Sequence, residues 1–281
     1  MREISSESIK NAVKKLFLDS GRVIGRDVLS SIQLSLKTEK SPVGRSVLEQ
    51  LLLNYEIAEK ESMPICQDTG MAVVFIEIGQ EVAITGDYIE DAINQGVKEA
   101  YAEGYFRKSI VSEPVFERKN TKDNCPAVIH TRIIKGDKIN ILAVAKGFGS
   151  ENMSAVKMLV PANGVEGVKN FVLETVKNAG PNPCPPIVVG VGIGGSFELA
   201  AIMAKKATAR SLDESNPDPK YAELENELLE KINKLGIGPA GLGGTTSALK
   251  VNIDYAPTHI AGMPVAINIC CHAARHASIT L

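Results

Sequence analysis

Residues 180–195, with the sequence GPNPCPPIVVGVGIGG, decide the fold class of this chain. The proline-rich first half predicts a corner, because proline lacks a backbone N–H and restricts the residue before it. The run IVVGVGI that follows, residues 187–193, is apolar and β-branched, which predicts a strand. A helix is predicted from about Phe197 to Arg210. A strand that leads at once into a helix indicates a mixed α/β fold.

Towards the N-terminus, apolar residues recur at helical spacing. Three helices are predicted there, from the apolar positions Ile9, Val13, Leu16, Phe17, Val28, Ile32, Leu36, Val47, Leu48, Leu51, Leu52 and Tyr55. Met63-Pro64 ends the third helix and opens a loop, and the run MAVVFIEIG at 71–79 predicts a strand. We therefore expect a single mixed α/β domain with a helix-rich part over about 1–60 and an α/β part over about 61–281.

The remaining elements are predicted from periodicity, β-branched content and turn residues. Helices are expected near 88–104, 164–178 and within 214–236, and strands near 127–134, 138–145, 248–255 and 263–271. This pattern predicts small β-sheets packed by helices.

The composition excludes several classes of function. The net charge of −2 offers no general attraction to nucleic acid or to an acidic membrane surface. No stretch approaches the ~18 apolar residues that a membrane-spanning helix needs, and the N-terminus lacks the apolar region of a secretory signal. The five cysteines have no regular spacing typical of a secreted disulfide scaffold. We expect a cytoplasmic protein with neither nucleic-acid nor membrane partners.

Three cysteines stand beside residues that break regular structure. Cys66 follows Pro64, Cys184 lies between two prolines, and Cys271 ends the last predicted strand. Three thiolates could hold three corners of a [4Fe–4S] cluster and leave the fourth iron open as a Lewis acid. Cysteine is also among the residues most often buried for packing alone, so spacing by itself leaves both interpretations open.

Four longer motifs accompany these cysteines in a fixed order. They are CQDTG at 66–70, KGFGSEN at 146–152, NPCPP at 182–186 followed by GVGIGG at 190–195, and CHAAR at 271–275. Together they resemble the class I iron–sulfur fumarases and the related L-tartrate dehydratases, from roughly the third helix to the C-terminus. The resemblance implies a [4Fe–4S] cluster held by Cys66, Cys184 and Cys271. Cys271 is preferred to Cys270 because the match is to Cys-x-Ala-x-Arg, and Cys125 matches no ligand position.

The resemblance also implies a set of substrate contacts. These are Gln67, Asp68, Arg107, Gly147 and Gly149; His259, twelve residues before Cys271, is a further candidate for the pocket. Asp68 would transfer the proton, Arg107 would grip a carboxylate with its planar guanidinium, and the Gly147–Gly149 loop would offer backbone N–H groups. Each has a simpler interpretation: Asp68 as a turn residue, Arg107 as a solvated charge near a helix end, and His259 as an ordinary surface histidine.

The implied reaction is the reversible hydration of fumarate to malate, with L-tartrate dehydration as the alternative. The family includes two-chain forms whose larger subunit has about this extent. We therefore expect a separate β subunit, an α2β2 assembly and a small dicarboxylate substrate.

Two other classes of function compete with the hydro-lyase. Gly190-x-Gly192-x-x-Gly195 formally matches the dinucleotide fingerprint of an NAD-dependent dehydrogenase, but no apolar strand ending in an acidic residue follows about twenty residues later. A non-catalytic scaffold subunit would use the same glycines only for tight packing.

Overall fold

The computed structural model describes residues 1–281, which form two compact units. Unit 1 comprises residues 1–25, 54–148 and 275–281, and unit 2 comprises 26–53 and 149–274. The predicted mixed α/β fold is confirmed. Both units are assembled from separate stretches of the sequence. The division of the chain into a helical part and an α/β part near residue 60 stays a prediction.

Eight helices and ten strands make up the fold. The helices are α1 (Ser6–Arg22), α2 (Arg26–Thr38), α3 (Pro42–Lys60), α4 (Ile89–Glu103), α5 (Phe148–Glu151), α6 (Gly164–Ala179), α7 (Phe197–Ala207) and α8 (Pro219–Asn233). The strands are β1 (Arg2–Ser5), β2 (Met71–Gly79), β3 (Val82–Thr85), β4 (Val128–Ile134), β5 (Ile139–Lys146), β6 (Ala155–Leu159), β7 (Ile187–Gly194), β8 (Ala248–Ala256), β9 (Met263–Cys270) and β10 (His276–Thr280). No helix is long and apolar enough to cross a membrane.

Unit 1 is built on a four-stranded sheet with the order β10-β5-β2-β4. β2 runs parallel to β4 and antiparallel to β5, which also pairs with β10. The apolar faces of α1 and α4 share one buried core with this sheet, and Val13, Phe17, Val97 and Tyr101 lie within it. Met71, the first residue of β2, pairs with Lys146, the last residue of β5. The loop before β2 and the loop after β5 therefore lie next to each other.

Unit 2 is built on a second four-stranded sheet with the order β6-β9-β7-β8. Every residue of the central strand β7 is buried. Its side chains at Ile187, Val189, Val191 and Ile193 pack in a core that includes residues of α6 and α8. The alternate positions of a strand point to the opposite face, which here includes three glycines, Gly190, Gly192 and Gly194.

Gly190 and Gly192 are required by the close packing of α7 on β7. A Cβ at Gly190 would lie 2.0 Å from the carbonyl oxygen of Ala204, and one at Gly192 would lie 2.0 Å from that of Ala200. No strand is formed between the end of α7 and the start of α8. The glycines thus have a packing role, and the second strand of a dinucleotide-binding unit is missing at the expected distance.

Candidate functional site

The CQDTG loop of unit 1 holds Asp68 by both of its carboxylate oxygens. Oδ1 accepts the backbone N–H of Gly70 at 3.0 Å, which is the turn contact expected of this residue type. Oδ2 accepts the N–H of Phe148 at 2.8 Å, across 80 positions of the chain. Asp68 is therefore a turn residue and is also joined to the KGFGSEN loop, and these two bonds fix the orientation of its carboxylate.

Gly147 lies between charged groups at this point. A Cβ there would lie 3.2 Å from Oδ2 of Asp68 and 3.4 Å from Nη2 of Arg275. The preceding residue, Lys146, ends β5 and is 1% exposed, so it is not a surface lysine. Arg275 is 3% exposed. Two buried cations and one oriented carboxylate thus border one loop.

The backbone from Arg107 to Ser109 is tied to the CQDTG loop. Thr69 donates its hydroxyl to the carbonyl of Arg107 at 2.9 Å. Asn124, which is fully buried, donates to the carbonyl of Gly70 at 3.3 Å and accepts the N–H of Ser109 at 2.8 Å. These bonds place the Arg107 segment beside the Asp68 turn, while the Arg107 side chain is exposed. Asn124 was not predicted from the sequence, where its only local signal is its place before Cys125-Pro126.

Tyr101 supports the turn from the core of unit 1. Its hydroxyl lies 3.0 Å from the carbonyl oxygen of Thr69 and 2.9 Å from that of Gly70. Burial raises the pKa of Tyr101 well above its ordinary value; the positive charge of Arg275 opposes this shift and the negative charge of Asp68 adds to it. The charges of Arg275 and Asp68 therefore both act on Tyr101, whose hydroxyl contacts the CQDTG loop.

In unit 2, Cys184 projects from a tight turn. It is exposed, and its φ of 55° lies in the left-handed region that residues with a Cβ seldom adopt. Its N–H donates to the carbonyl of Pro181 at 3.1 Å, and its own carbonyl accepts the N–H of His272 at 3.5 Å. His272 directly follows Cys271, so the backbones of two predicted ligands meet. Cys271 is half-buried, whereas Cys270 is buried at the end of β9.

The glycine-rich loop after α8 supports the Cys184 turn and is fixed by Glu39. Ala240 donates its N–H to the carbonyl of Pro185 at 2.8 Å. The Glu39 carboxylate accepts the N–H groups of Ser41 at 2.8 Å, Thr245 at 2.9 Å and Thr246 at 2.8 Å. Burial alone would raise the pKa of Glu39, but these N–H donors together lower it to about 2. Sequence reasoning missed this residue, because nothing nearby marks a long-range loop contact.

The two remaining site candidates of unit 2 are Gly149, within the short helix α5, and His259, in a loop. A Cβ at Gly149 would lie 3.6 Å from the carbonyl oxygen of Asn182, so this glycine borders the Cys184 turn. His259 is exposed between β8 and β9, and its Nδ1 accepts the N–H of Ala261 at 3.1 Å. That bond leaves Nε2 as the ring atom that a ligand could use.

Cys125 has a different environment from the predicted ligands. Its thiol donates to the carbonyl of Asn94 at 3.3 Å. Burial, with a smaller effect of the Asp123 charge, raises the pKa of Cys125 to about 11. A thiol held so far from its reactive thiolate form fits the packing role expected of it.

The structure thus forms two separate groups of candidates. Unit 1 places Asp68 with Gly147 and joins the Arg107 segment to them, and it also carries Cys66 and the exposed Gln67. Unit 2 places Cys184 with the residue after Cys271. No three or more His, Cys, Asp or Glu side chains are arranged around a single metal-ion position. The convergence of the three thiols stays a prediction.

Comparison with known proteins identifies the family. The fumarate hydratase (fumerase) family matches residues 10–280. A protein of Methanocaldococcus jannaschii named "Putative L(+)-tartrate dehydratase subunit alpha" is 44% identical over 275 residues, 96% of each chain. The L(+)-tartrate dehydratase subunit alpha of Escherichia coli strain UTI89 is 34% identical over 255 residues, 90% of this chain and 84% of the relative. The chain therefore belongs to the fumarate hydratase (fumerase) family, whose members and their tartrate dehydratase relatives are hydro-lyases.

Proposed function

We propose that this chain is the alpha subunit of an iron–sulfur hydro-lyase that dehydrates a four-carbon hydroxy diacid, with L(+)-tartrate as the favoured substrate. The observation that carries the proposal is the Asp68 carboxylate, oriented by Gly70 and Phe148 beside a loop bordered by buried cations. A hydro-lyase needs a positioned base next to cations that hold its diacid substrate. The substrate preference rests on the names of the relatives.

The thiols suit the expected cluster. In a [4Fe–4S] cluster each thiolate binds a different iron, so three thiols need not point to a single position. Cys184 projects from a strained, exposed turn, and its backbone contacts the residue after the half-buried Cys271. Cys66, Cys184 and Cys271 would hold the cluster, which supplies Lewis acid chemistry at an iron without a cysteine ligand when it is bound.

The side chains of unit 1 supply the other requirements of dehydration. Asp68 removes the proton from the carbon next to the one that loses hydroxide, because its orientation is fixed before substrate binds. Arg107 binds a substrate carboxylate through its planar fork, from a segment tied to the Asp68 loop. The N–H of Phe148 already serves Asp68, so this part of the KGFGSEN loop orients the base rather than the substrate. Gln67 and His259 are further contacts of the same substrate.

Fumarate and malate are the second candidate substrates, because the matching family is described as fumarate hydratase. Tartrate and malate differ by one hydroxyl group. A site built to hydrogen-bond a substrate hydroxyl strongly rejects an analogue that lacks it, so the two activities should separate clearly.

A β subunit belongs to the proposal, since the relatives are named alpha subunits. We expect an α2β2 complex whose partner chain completes the substrate site. The chain prepared alone, with its cluster, should then turn over the diacid far more slowly than the complex. Equal rates for the two preparations would contradict the two-subunit proposal.

Turnover by the αβ complex, prepared without oxygen, tests the proposed activity. Water loss from L(+)-tartrate should be the faster reaction, and malate should be consumed more slowly. Asp68→Asn should lower kcat by about 100-fold or more, since this is the usual contribution of a positioned base. Asp137→Asn, an exposed turn carboxylate, is the matched control and should leave kcat unchanged. Full activity of Asp68→Asn, or no turnover of either diacid, would contradict the proposal.

A further inference from the structure

Arg275 is a buried cation whose hydrogen-bonding groups are not satisfied within the chain. The side chain is 3% exposed, and neither Nε nor Nη1 has a hydrogen-bond partner. Its backbone is fixed, because its carbonyl accepts the N–H of Ala145 at 3.0 Å, immediately before β10. Buried polar groups of native proteins are nearly always hydrogen-bonded, so each exception calls for a partner.

Arg210 of unit 2 has partners on both of its terminal nitrogens, although its Nε, like that of Arg275, has none, so it is the unpartnered Nη1 that sets Arg275 apart. The Nη1 of Arg210 donates to the carbonyl of Ile253 and to Asp254, both at 3.1 Å. Its Nη2 donates to Glu225 and to Asn252. Arg210 thus has two carboxylates and two neutral acceptors. Arg275 has no comparable set, although it is the more deeply buried of the two.

The surroundings of Arg275 point to an anion as the partner. A guanidinium stays charged and offers only donors, so its missing partners are acceptors. Nη2 borders Gly147, on the loop that also receives the Asp68 carboxylate. Arg275 therefore lies in the part of unit 1 where the proposed reaction needs positive charge.

We propose that Arg275 binds an anionic group of the hydro-lyase site through the guanidinium nitrogens that the chain leaves without partners. This inference rests on the proposed function and adds a second arginine to Arg107. Two anions have the required chemistry, a carboxylate of the diacid and the sulfide-bearing face of the cluster. Both anions offer hydrogen-bond acceptors to the N–H groups of the buried Arg275 guanidinium.

The test compares Arg275→Gln and Arg275→Lys with Arg132→Gln, which removes an exposed arginine of β4. Binding of malonate, a non-reacting dicarboxylate, is measured by calorimetry on the complete αβ complex. Iron content and the EPR spectrum of the reduced cluster are measured on the same samples. Arg275→Gln should weaken malonate binding tenfold or more, or else lose iron or shift the EPR spectrum. Arg275→Lys should show a smaller change of the same kind, because it keeps the charge but loses the fork.

The two readouts distinguish the two anions. Weaker malonate binding with an unchanged spectrum assigns Arg275 to the diacid, and the reverse result assigns it to the cluster. Unchanged malonate binding, iron content and spectrum in folded Arg275→Gln would overturn the inference. If Arg275→Gln fails to fold, an unchanged result for Arg275→Lys overturns it equally. These readouts do not depend on turnover, so a wild-type complex that dehydrates no diacid would refute the proposed function separately.

Discussion

At the scale of single residues, the candidate site depends on side chains that have a structural contact and a chemical role at once. Asp68 closes its own turn through Gly70 and reaches Phe148 with its second oxygen. The turn interpretation and the functional interpretation are therefore compatible. A carboxylate held at both oxygens loses little freedom when substrate binds, which favours its use as a base.

Gly147→Ala tests how closely the loop must approach Asp68. The added methyl would lie 3.2 Å from Oδ2 of Asp68 and 3.4 Å from Nη2 of Arg275, so the carboxylate or the guanidinium must move. We expect kcat of the complex to fall about tenfold or more, because small displacements of a catalytic group are costly. Gly262→Ala is the control, since a Cβ there meets no atom within 4 Å. Unchanged kcat in Gly147→Ala would show that the close approach is unimportant.

The thiols should differ in reactivity in a cluster-free preparation. Cys184 is exposed, whereas burial raises the pKa of Cys125 to about 11. At pH 8 roughly one Cys125 in a thousand would be in the reactive thiolate form. Iodoacetamide should therefore label Cys184 before Cys125, as followed by peptide mass spectrometry. Labelling of Cys125 first would contradict the structure around it.

At the scale of elements, the long apolar strands could be predicted and the short edge strands could not. The runs that became β2, β5, β7, β8 and β9 carry continuous apolar or β-branched residues. β6 has only one buried residue, so its sequence shows no alternation, and it forms by pairing with β9. β1 and β10 are likewise short and take their partners from distant parts of the chain, β3 and β5. Such strands depend on tertiary pairing rather than on local pattern.

The connection of Glu39 to the glycine-rich loop gives a prediction about stability and pH. Its pKa is about 2 in the folded chain and is ordinarily 4.5, a difference that corresponds to about 3 kcal/mol. Because the folded pKa is the lower one, this stabilisation is present above pH 4.5 and is lost as pH falls towards 2. Glu39→Gln should therefore reduce the free energy of unfolding by about 2 to 3 kcal/mol at pH 7 and by less than half as much at pH 3.

Urea unfolding at pH 7, 5 and 3 measures this difference. Glu49→Gln, an exposed residue of α3, is the matched control and should change stability little at each pH. A difference between wild type and Glu39→Gln that stays constant from pH 7 to pH 3 would show that the carboxylate charge does not hold the loop.

At the scale of the whole molecule, the sequence predicted the motifs of the site but not the contacts that support them. Cys66, Cys184 and Cys271 stand out because breakers of regular structure surround them. Asn124 and Glu39 each have a hydrogen-bond partner more than fourteen positions away, and the buried Arg275 borders the distant Gly147, contacts that no local pattern reveals. The glycines of the apparent dinucleotide fingerprint form a motif that is clear in the sequence but is not explained by ligand binding. The close packing of α7 on β7 explains it instead.

The most direct test of the central claim is an iron count on the αβ complex prepared without oxygen, together with EPR spectra of its reduced form before and after addition of L(+)-tartrate. We predict about four irons per alpha chain and a spectrum that L(+)-tartrate changes, because one iron lacks a cysteine ligand and is open to substrate. A folded complex that retains no iron, or whose spectrum neither tartrate nor malate alters, would contradict a substrate-accessible cluster in this protein.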